Sequence, residues 1–340
     1  MASCTTMQHG FTICNMEQKK IVGVDIGGTQ IKFGLFSSDG ALLDKWSVAT
    51  DLRDNGAKII PSIADSIRAY FTAHAMAEAD LAGIGIGVPG PIDADGHVIK
   101  CVNLHWYHFE PAKALAAYFP DCRIAAGNDA NLAALGEYYC GAAKSYRSVM
   151  LITLGTGVGG GIVLDGKVVC GAHGNAGEIG HVRVDLTETE HCNCGNCGCV
   201  DQNASATGIV RNMKRLLGAT QEPSVLRAIA PEKLTARDVC DAARNGDKLA
   251  KRCIDHSMGL LATAMAAFSH AFEPEIFLIG GGVSAAADVL IPAIRAAYEK
   301  QLFLIEQGAE LAPAALGNDA GMIGAYHLIR NEIANHESSI

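Results

Sequence analysis

The sequence predicts an α/β protein of two related lobes. Three observations carry that expectation. Apolar strand-like runs alternate with stretches of helical periodicity along the chain. A strand, glycine turn, strand scheme occurs twice, as IVGVDIGGTQIKFGLF at 21–36 and as MLITLGTGVGGGIVL at 150–164. The length of 340 residues, with 49% hydrophobic and only 19% charged side chains, is enough for two cores of moderate size.

The elements follow in order. After the first glycine turn, Ala57 to Ala79 reads as a helix. Leu81 to Val88 reads as a strand whose Gly83, Gly85 and Gly87 leave one face bare for a closely packed neighbour. Pro89-Gly90-Pro91 forces a turn. Arg123 to Gly127 is a short strand running into Asn128-Asp129, and Ala130 to Tyr139 is a helix. The second glycine scheme ends at an Asp165-Gly166 hairpin turn. Residues 202–217, 235–245 and 247–272 read as helices. Glu275 to Ile279 is a strand leading into Gly280-Gly281-Gly282, a helix starts near Ser284, and residues 320–335 form a closing helix. The longest charge-free helical stretch, Ser257 to Phe272, is shorter than the ~20 residues a membrane span needs.

Net charge is −9 and the pI about 5.7. No basic cluster offers a nucleic-acid surface, and the balance disfavours an anionic membrane. Residues 1–16 have neither a charged start nor a sustained apolar run, so they do not read as an export signal. A cytoplasmic location is expected. The twelve cysteines are then reduced thiols or metal ligands.

Gly155 to Gly160 matches GxGxxG, but a dinucleotide fold needs a helix directly after the glycines. Here the β-rich IVLDGKVV follows. A hairpin turn whose backbone N–H groups cradle phosphate fits better, with Gly155, Thr156, Gly157, Gly159 and Gly160 as its members. Asp25-Ile26-Gly27-Gly28-Thr29 makes the corresponding turn. Gly27 and Gly28 free the backbone to face a phosphate, Thr29 offers a hydroxyl, and Asp25 can hold a metal ion through water. Gly281 and Gly282 form a third glycine corner after a strand. Alone, each hairpin is as readily an ordinary tight turn; two in corresponding places, with the third glycine corner after a strand, point to nucleotide binding.

His181 is followed by Cys192, Cys194, Cys197 and Cys199. Thiolates and imidazole at this density are Zn²⁺ ligands in type. The set chosen is His181, Cys192, Cys194 and Cys199, with Cys197 spare. Four protein ligands close the coordination sphere, so the zinc is expected to be structural.

Together these residues resemble the ROK family of sugar kinases and bacterial repressors, within the actin, hexokinase and heat-shock ATPase fold. The resemblance runs from about residue 20 through DIGGT at 25–29, GVPGPID at 87–93, NDAN at 128–131, LGTGVGGG at 154–161, GEIGH at 177–181, CNCGNCGC at 192–199 and GGGVS at 280–284. It implies a two-lobed actin-like (ribonuclease-H-like) ATPase fold with a deep interlobe cleft. The expected divisions are a loose tail over 1–17, a small lobe over 18–127 joined by a C-terminal helix at 318–336, and a large lobe over 128–317 with the zinc loop.

The resemblance further implies a hexose kinase using ATP with Mg²⁺, foremost a glucokinase. N-acetylmannosamine kinase and fructokinase are the alternatives. Asp129 falls on the family's catalytic base, and Asn128 with Asp129 on its sugar-binding pair. Glu178 and His181 match the pair that holds ring hydroxyls. Asp201 stands where the family commonly has a sugar-binding Glu, one methylene longer. Gly90 and Asn103 lie in segments that line the sugar pocket. Gln30 stands where relatives often carry Lys, with Lys32 the nearby cation. Family members are often homodimers, so a homodimer is expected. The family's repressors carry a winged helix-turn-helix before the first glycine turn. The 24 residues before Asp25 are too few for one, and an enzyme is expected instead.

Overall fold

The computed structural model describes residues 19–93, 95–303 and 307–337; the tail expected over 1–17 lies outside them. The chain forms two compact units. The first comprises Met1–Tyr139, Cys170–Asn175 and Asp319–Ile340, and the second Cys140–Val169 and Ala176–Asn318.

In the first unit, β1 (Lys20–Ile26), β2 (Gln30–Ser37) and β3 (Leu42–Ala49) form an antiparallel meander. Helix α1 (Ile59–Ala73) buries Ile59, Ile60, Ile63, Ala64, Ile67 and Phe71, one stripe at helical spacing. It is shorter than the sequence predicts. Asp54, Asn55 and Gly56 have positive φ just before it, and Ala75 has φ 54° just after it. These left-handed residues fix both ends where helix propensity alone marks none. Next come β4 (Leu81–Val88), the hairpin β5 (Val98–Cys101) and β6 (Trp106–Phe109), α2 (Pro111–Ala116), β7 (Arg123–Asn128) and α3 (Asp129–Cys140). The main sheet has the order β3-β2-β1-β4-β7, with β4 parallel to β1 and β7.

The second unit repeats this plan with β8 (Ser148–Leu154), β9 (Val158–Leu164) and β10 (Lys167–Val168) as its meander. Strand β9 begins within the glycine run, at Val158, and a strand rather than a helix continues from it, as the β-rich sequence there predicts. Residues 202–217, expected as one helix, are two: α4 (Val200–Ala204) and α5 (Ala206–Ala219). Ser205 is extended between them, and its hydroxyl accepts the Gly208 N–H at 3.0 Å as an N-cap. Then follow α6 (Ala236–Arg244), α7 (Lys248–Phe272), β11 (Ile276–Gly280), α8 (Ala287–Tyr298) and β12 (Glu310–Pro313). A short 3₁₀ turn at Gly282–Ala286 precedes α8, so its α-helical part starts later than Ser284. The sheet order is β10-β9-β8-β11-β12, again a meander followed by two parallel strands.

The chain then returns to the first unit as α9 (Ala320–Glu337). This helix lies on the bare glycine face of the sheet. A Cβ on Gly85 would stand 1.8 Å from the Ala325 carbonyl oxygen, and one on Gly23 2.0 Å from that of Met322. Gly83 instead meets a side chain, that of Ile329. On its other side α9 presses against α3, where a Cβ on Gly324 would stand 1.7 Å from the Leu132 oxygen. At Gly23, Gly85 and Gly324 backbone meets backbone, so no rotamer change relieves a clash.

Gly85→Ala is therefore expected to cost more than about 3 kcal/mol, beyond ordinary overpacking, or to prevent folding. Gly259→Ala, in α7 with no neighbour within 4 Å of the new Cβ, should instead stabilise by about 0.5–1 kcal/mol. Thermal and denaturant melts of the two variants check this, and a wild-type melting temperature for Gly85→Ala would contradict the close approach.

Candidate active site

The first glycine turn joins β1 to β2. Gly27 N–H donates to the Gln30 carbonyl at 3.0 Å and closes it. Gly28 faces open space, since a Cβ there would meet nothing within 4 Å. Asp25 lies opposite Lys32 in the β1–β2 register, with Lys32 Nζ 3.6 Å from its Oδ2. Burial pushes the Asp25 carboxyl up and the Lys32 charge offsets part of that. Gly321 is the reason Asp25 fits under α9: a Cβ there would come within 2.8 Å of its carboxylate carbon. Gln30 does not reach toward this turn; its amide donates to Ser47 Oγ at 2.7 Å.

The second turn joins β8 to β9 in the same manner, with Gly155 N–H on the Gly157 carbonyl at 2.9 Å. Gly281, at φ 81°, packs the third glycine corner on Leu154, where a Cβ would lie 2.5 Å from the Leu154 oxygen. Gly155, Thr156 and Gly282 line one cavity of about 820 Å³, walled further by Thr235, Arg237 and Val283. The sequence offers one signal for the Thr235 wall, the Thr-x-x-Asp capping box that opens α6. A larger cavity, about 1070 Å³, opens near Tyr146, Glu275 and Glu310. It lies where β8, β11 and β12 begin, whereas parallel sheets present ligands at the carboxyl ends of their strands. The 820 Å³ cavity is at that end.

In the first unit, Asn128 and Asp129 stand where β7 becomes α3. Asn128 is the helix cap: its Oδ1 accepts the Asn131 N–H at 2.9 Å. Its amide donates to the Gly90 carbonyl at 3.0 Å and to Asp129 Oδ1 at 3.1 Å. Asp129 Oδ1 also accepts the Ala130 N–H at 2.8 Å. The capping work falls to Asn128, and Asp129 supplies a carboxylate to the start of α3. Gly90, at φ 94°, lets the Pro-Gly-Pro turn sit on β5, since a Cβ would be 2.9 Å from the Lys100 oxygen. Asn103 is exposed on the turn between β5 and β6. Burial raises the Cys101 thiol, and the Asp129 charge adds to that.

In the second unit, Glu178 and His181 flank one 3₁₀ turn, both exposed, while Ile179 and Gly180 between them are buried. The turn sits on β9: a Cβ on Gly180 would be 2.1 Å from the Val158 oxygen, and Gly160 makes room for Ile179. Asp201, in the first turn of α4, accepts the Val158 N–H on Oδ1 at 2.6 Å. This contact to the second glycine turn is not foreseeable from sequence spacing.

His181, Cys192, Cys194 and Cys199 converge, with one ligand atom from each lying within 4.8 Å of the others. Cys194 Sγ and Cys199 Sγ are 3.6 Å apart, and Cys192 Sγ is 4.0 Å from His181 Nδ1. Zinc–sulfur bonds of about 2.3 Å in a tetrahedron place two sulfurs roughly 3.8 Å apart, so the set fits zinc. Burial pushes the Cys199 thiol up to about 12. A divalent cation would supply the charge that favours its thiolate. Cys197 lies outside the set, 3.6 Å from His191 Nδ1. The loop carrying these ligands has a second anchor. Buried Glu188 receives Arg215 through two bonds, 2.6 and 3.2 Å, and Arg211 at 2.9 Å. Gln202 Oε1 accepts the N–H groups of Gly198 and Cys199.

Two sheets of equal order, each with a glycine turn at its first hairpin, define a chain of the actin-like ATPase class. The ROK family model matches residues 21–332, and this chain belongs to that family. It is 41% identical to a glucokinase of Halalkalibacterium halodurans over 93% of this chain and 97% of the relative. Identity to a glucokinase of Thermotoga maritima is 35%, over 94% and 99% of the two chains. Among solved structures, a ROK family glucokinase from Streptomyces griseus in complex with glucose and AMPPNP is 31% identical, with a TM-score of 0.71 over 91% of this chain and 98% of that one.

The arginine contacts hold the Glu188 carboxyl down at about 2, against an ordinary 4.5. A depressed carboxyl stabilises the fold above its ordinary value and loses that contribution as pH falls toward about 2. Glu188→Gln should thus cost about 1–3 kcal/mol at neutral pH. The gap to wild type should narrow from pH 4.5 downward in denaturant titrations. A gap that stays constant with pH would remove the ionic role.

Proposed function

We propose that this chain is an ATP-dependent hexose kinase, converting glucose to glucose 6-phosphate. The observation that carries the sugar is the name shared by its relatives at 41% and 35% identity, glucokinase. The glycine turns carry the donor. Backbone N–H groups at Gly28, Thr29, Thr156 and Gly157 serve the phosphates, with Gly27, Gly155, Gly159, Gly160, Gly281 and Gly282 giving the backbone its room. The nucleoside end belongs in the 820 Å³ cavity beside Thr156 and Gly282. Asp25 would hold Mg²⁺ through water, and the ion would neutralise charge on the donor's phosphates.

Asp129 accepts the proton of the attacking hydroxyl. Asn128 and Asp129 hold the sugar in the first unit, with Gly90 and Asn103 in the neighbouring segments. Glu178, His181 and Asp201 bind ring hydroxyls in the second. A structural zinc on His181, Cys192, Cys194 and Cys199 keeps His181 in place through one ring nitrogen. A cytoplasmic homodimer completes the reading. Among the described residues no helix is long and apolar enough to cross a membrane.

A sugar panel with ATP tests the reading, with glucose expected as the best acceptor. Asp129→Asn should lower kcat by about 10²–10⁴ while glucose affinity changes far less. Because Asn128 caps α3, the fold should keep its stability, and near-normal turnover would end the case for Asp129 as base. Metal analysis of the purified protein should find one zinc per chain, kept in Cys197→Ser and lost in Cys199→Ser. Zinc lost from Cys197→Ser would displace the ligand assignment.

A further inference from the structure

We infer that Thr50 and Thr207 are positioning residues for the donor's phosphates, each fixing the peptides of one glycine turn from behind. The inference rests on the kinase reading above. In a trans peptide the carbonyl and the N–H point in opposite directions. A donor that holds the carbonyl therefore aims the next residue's N–H to the other side.

In the first unit, the Thr50 hydroxyl donates to the Gly27 carbonyl at 2.6 Å. The N–H of the same peptide is that of Gly28, the residue facing open space. The Thr50 backbone N–H donates to the Thr29 carbonyl at 3.0 Å. In the second unit, the Thr207 hydroxyl donates to the Thr156 carbonyl at 2.8 Å. The neighbouring Ala206 N–H donates to the Gly155 carbonyl, also at 2.8 Å. The N–H groups of these two peptides belong to Gly157 and Thr156, and Thr156 lines the 820 Å³ cavity.

The same device thus occurs twice, although the two threonines come from unlike places. Thr50 follows the edge strand β3, whereas Thr207 lies in the first turn of α5, just after the Ser205 break. Each supplies one hydroxyl, and each site adds one backbone N–H, so two carbonyls of each turn are held. Thr207 is exposed, where water could satisfy the Thr156 carbonyl. A fixed donor adds what water does not, a peptide already oriented before the phosphate arrives. The Ser205 break has a purpose on this reading, because it brings Ala206 and Thr207 to the turn.

The test compares ADP with adenosine, which lacks phosphates, as ligands of the full-length protein. Affinities for both, with Mg²⁺ present, are measured calorimetrically for wild type, Thr50→Val, Thr207→Val and the two Thr→Ser variants. Glucose affinity is measured alongside. Each valine should weaken ADP by about 2–10-fold, the worth of one hydrogen bond. Adenosine and glucose should be unaffected, and serine should restore ADP to within about twofold of wild type. If a valine variant does not fold, alanine at that position removes the hydroxyl and is read the same way. Valine variants that bind ADP as wild type does, or that lose adenosine as much as ADP, overturn the inference alone. A wild-type protein that binds no ADP and phosphorylates no hexose overturns the kinase reading with it.

Discussion

The seating of α9 on glycines is the constraint from which the first unit's candidate chemistry follows. A helix can approach a sheet at backbone distance only where side chains are absent. Gly23 and Gly85 provide that absence on adjacent strands. The helix start then lies against Asp25 through Gly321, and its body presses on α3 through Gly324 and Gly136. Asp25 ends up half-buried against one end of α9, and the helix that opens with Asp129 is fixed by its flank. One C-terminal segment thereby places two carboxylates of different proposed duty, one toward a metal ion and one toward a hydroxyl proton.

In the second unit the β8–β9 hairpin has the comparable position. Val158 alone receives Asp201 on its N–H and makes room at its carbonyl for the Gly180 turn. The cysteine loop is tied to α5 by the Glu188–Arg211–Arg215 group and to α4 by Gln202. A buried carboxylate therefore anchors the loop that carries the proposed zinc set. Breaking either tie leaves charged or polar groups buried without their partners.

Much of this was legible in the sequence, for identifiable reasons. Glycine at alternate strand positions has few other uses, so Gly83 and Gly85 announced a close neighbour, although not that α9 would be it. The repeated hairpin announced two related halves, and the two sheets have like order. Strand β3 was not legible because it is exposed along most of its length and its apolar alternation is confined to Trp46 and Val48. The Ser205 break carried a local signal, a residue type favoured at N-caps whose hydroxyl accepts the Gly208 N–H, but Ala204 and Ala206 on either side let one helix read straight through it. Asn128 and Asp129 are equally good caps by type, and only the bond from Asn131 N–H decides between them. The two threonines at the glycine turns carried no signal, since their partners are backbone carbonyls.

The first unit is assembled from three stretches of chain, the last of them beginning at Asp319. On the ribosome, the residues of the second unit all emerge before that final stretch does. The usual vectorial order, N-terminal part first, is thus inverted for completion: the unit that starts first finishes last. Until α9 arrives, β1 and β4 wait with a bare face that no side chain covers. A stalled or prematurely terminated chain would be left with that face open, giving quality-control proteases and chaperones a recognisable mark of an unfinished molecule.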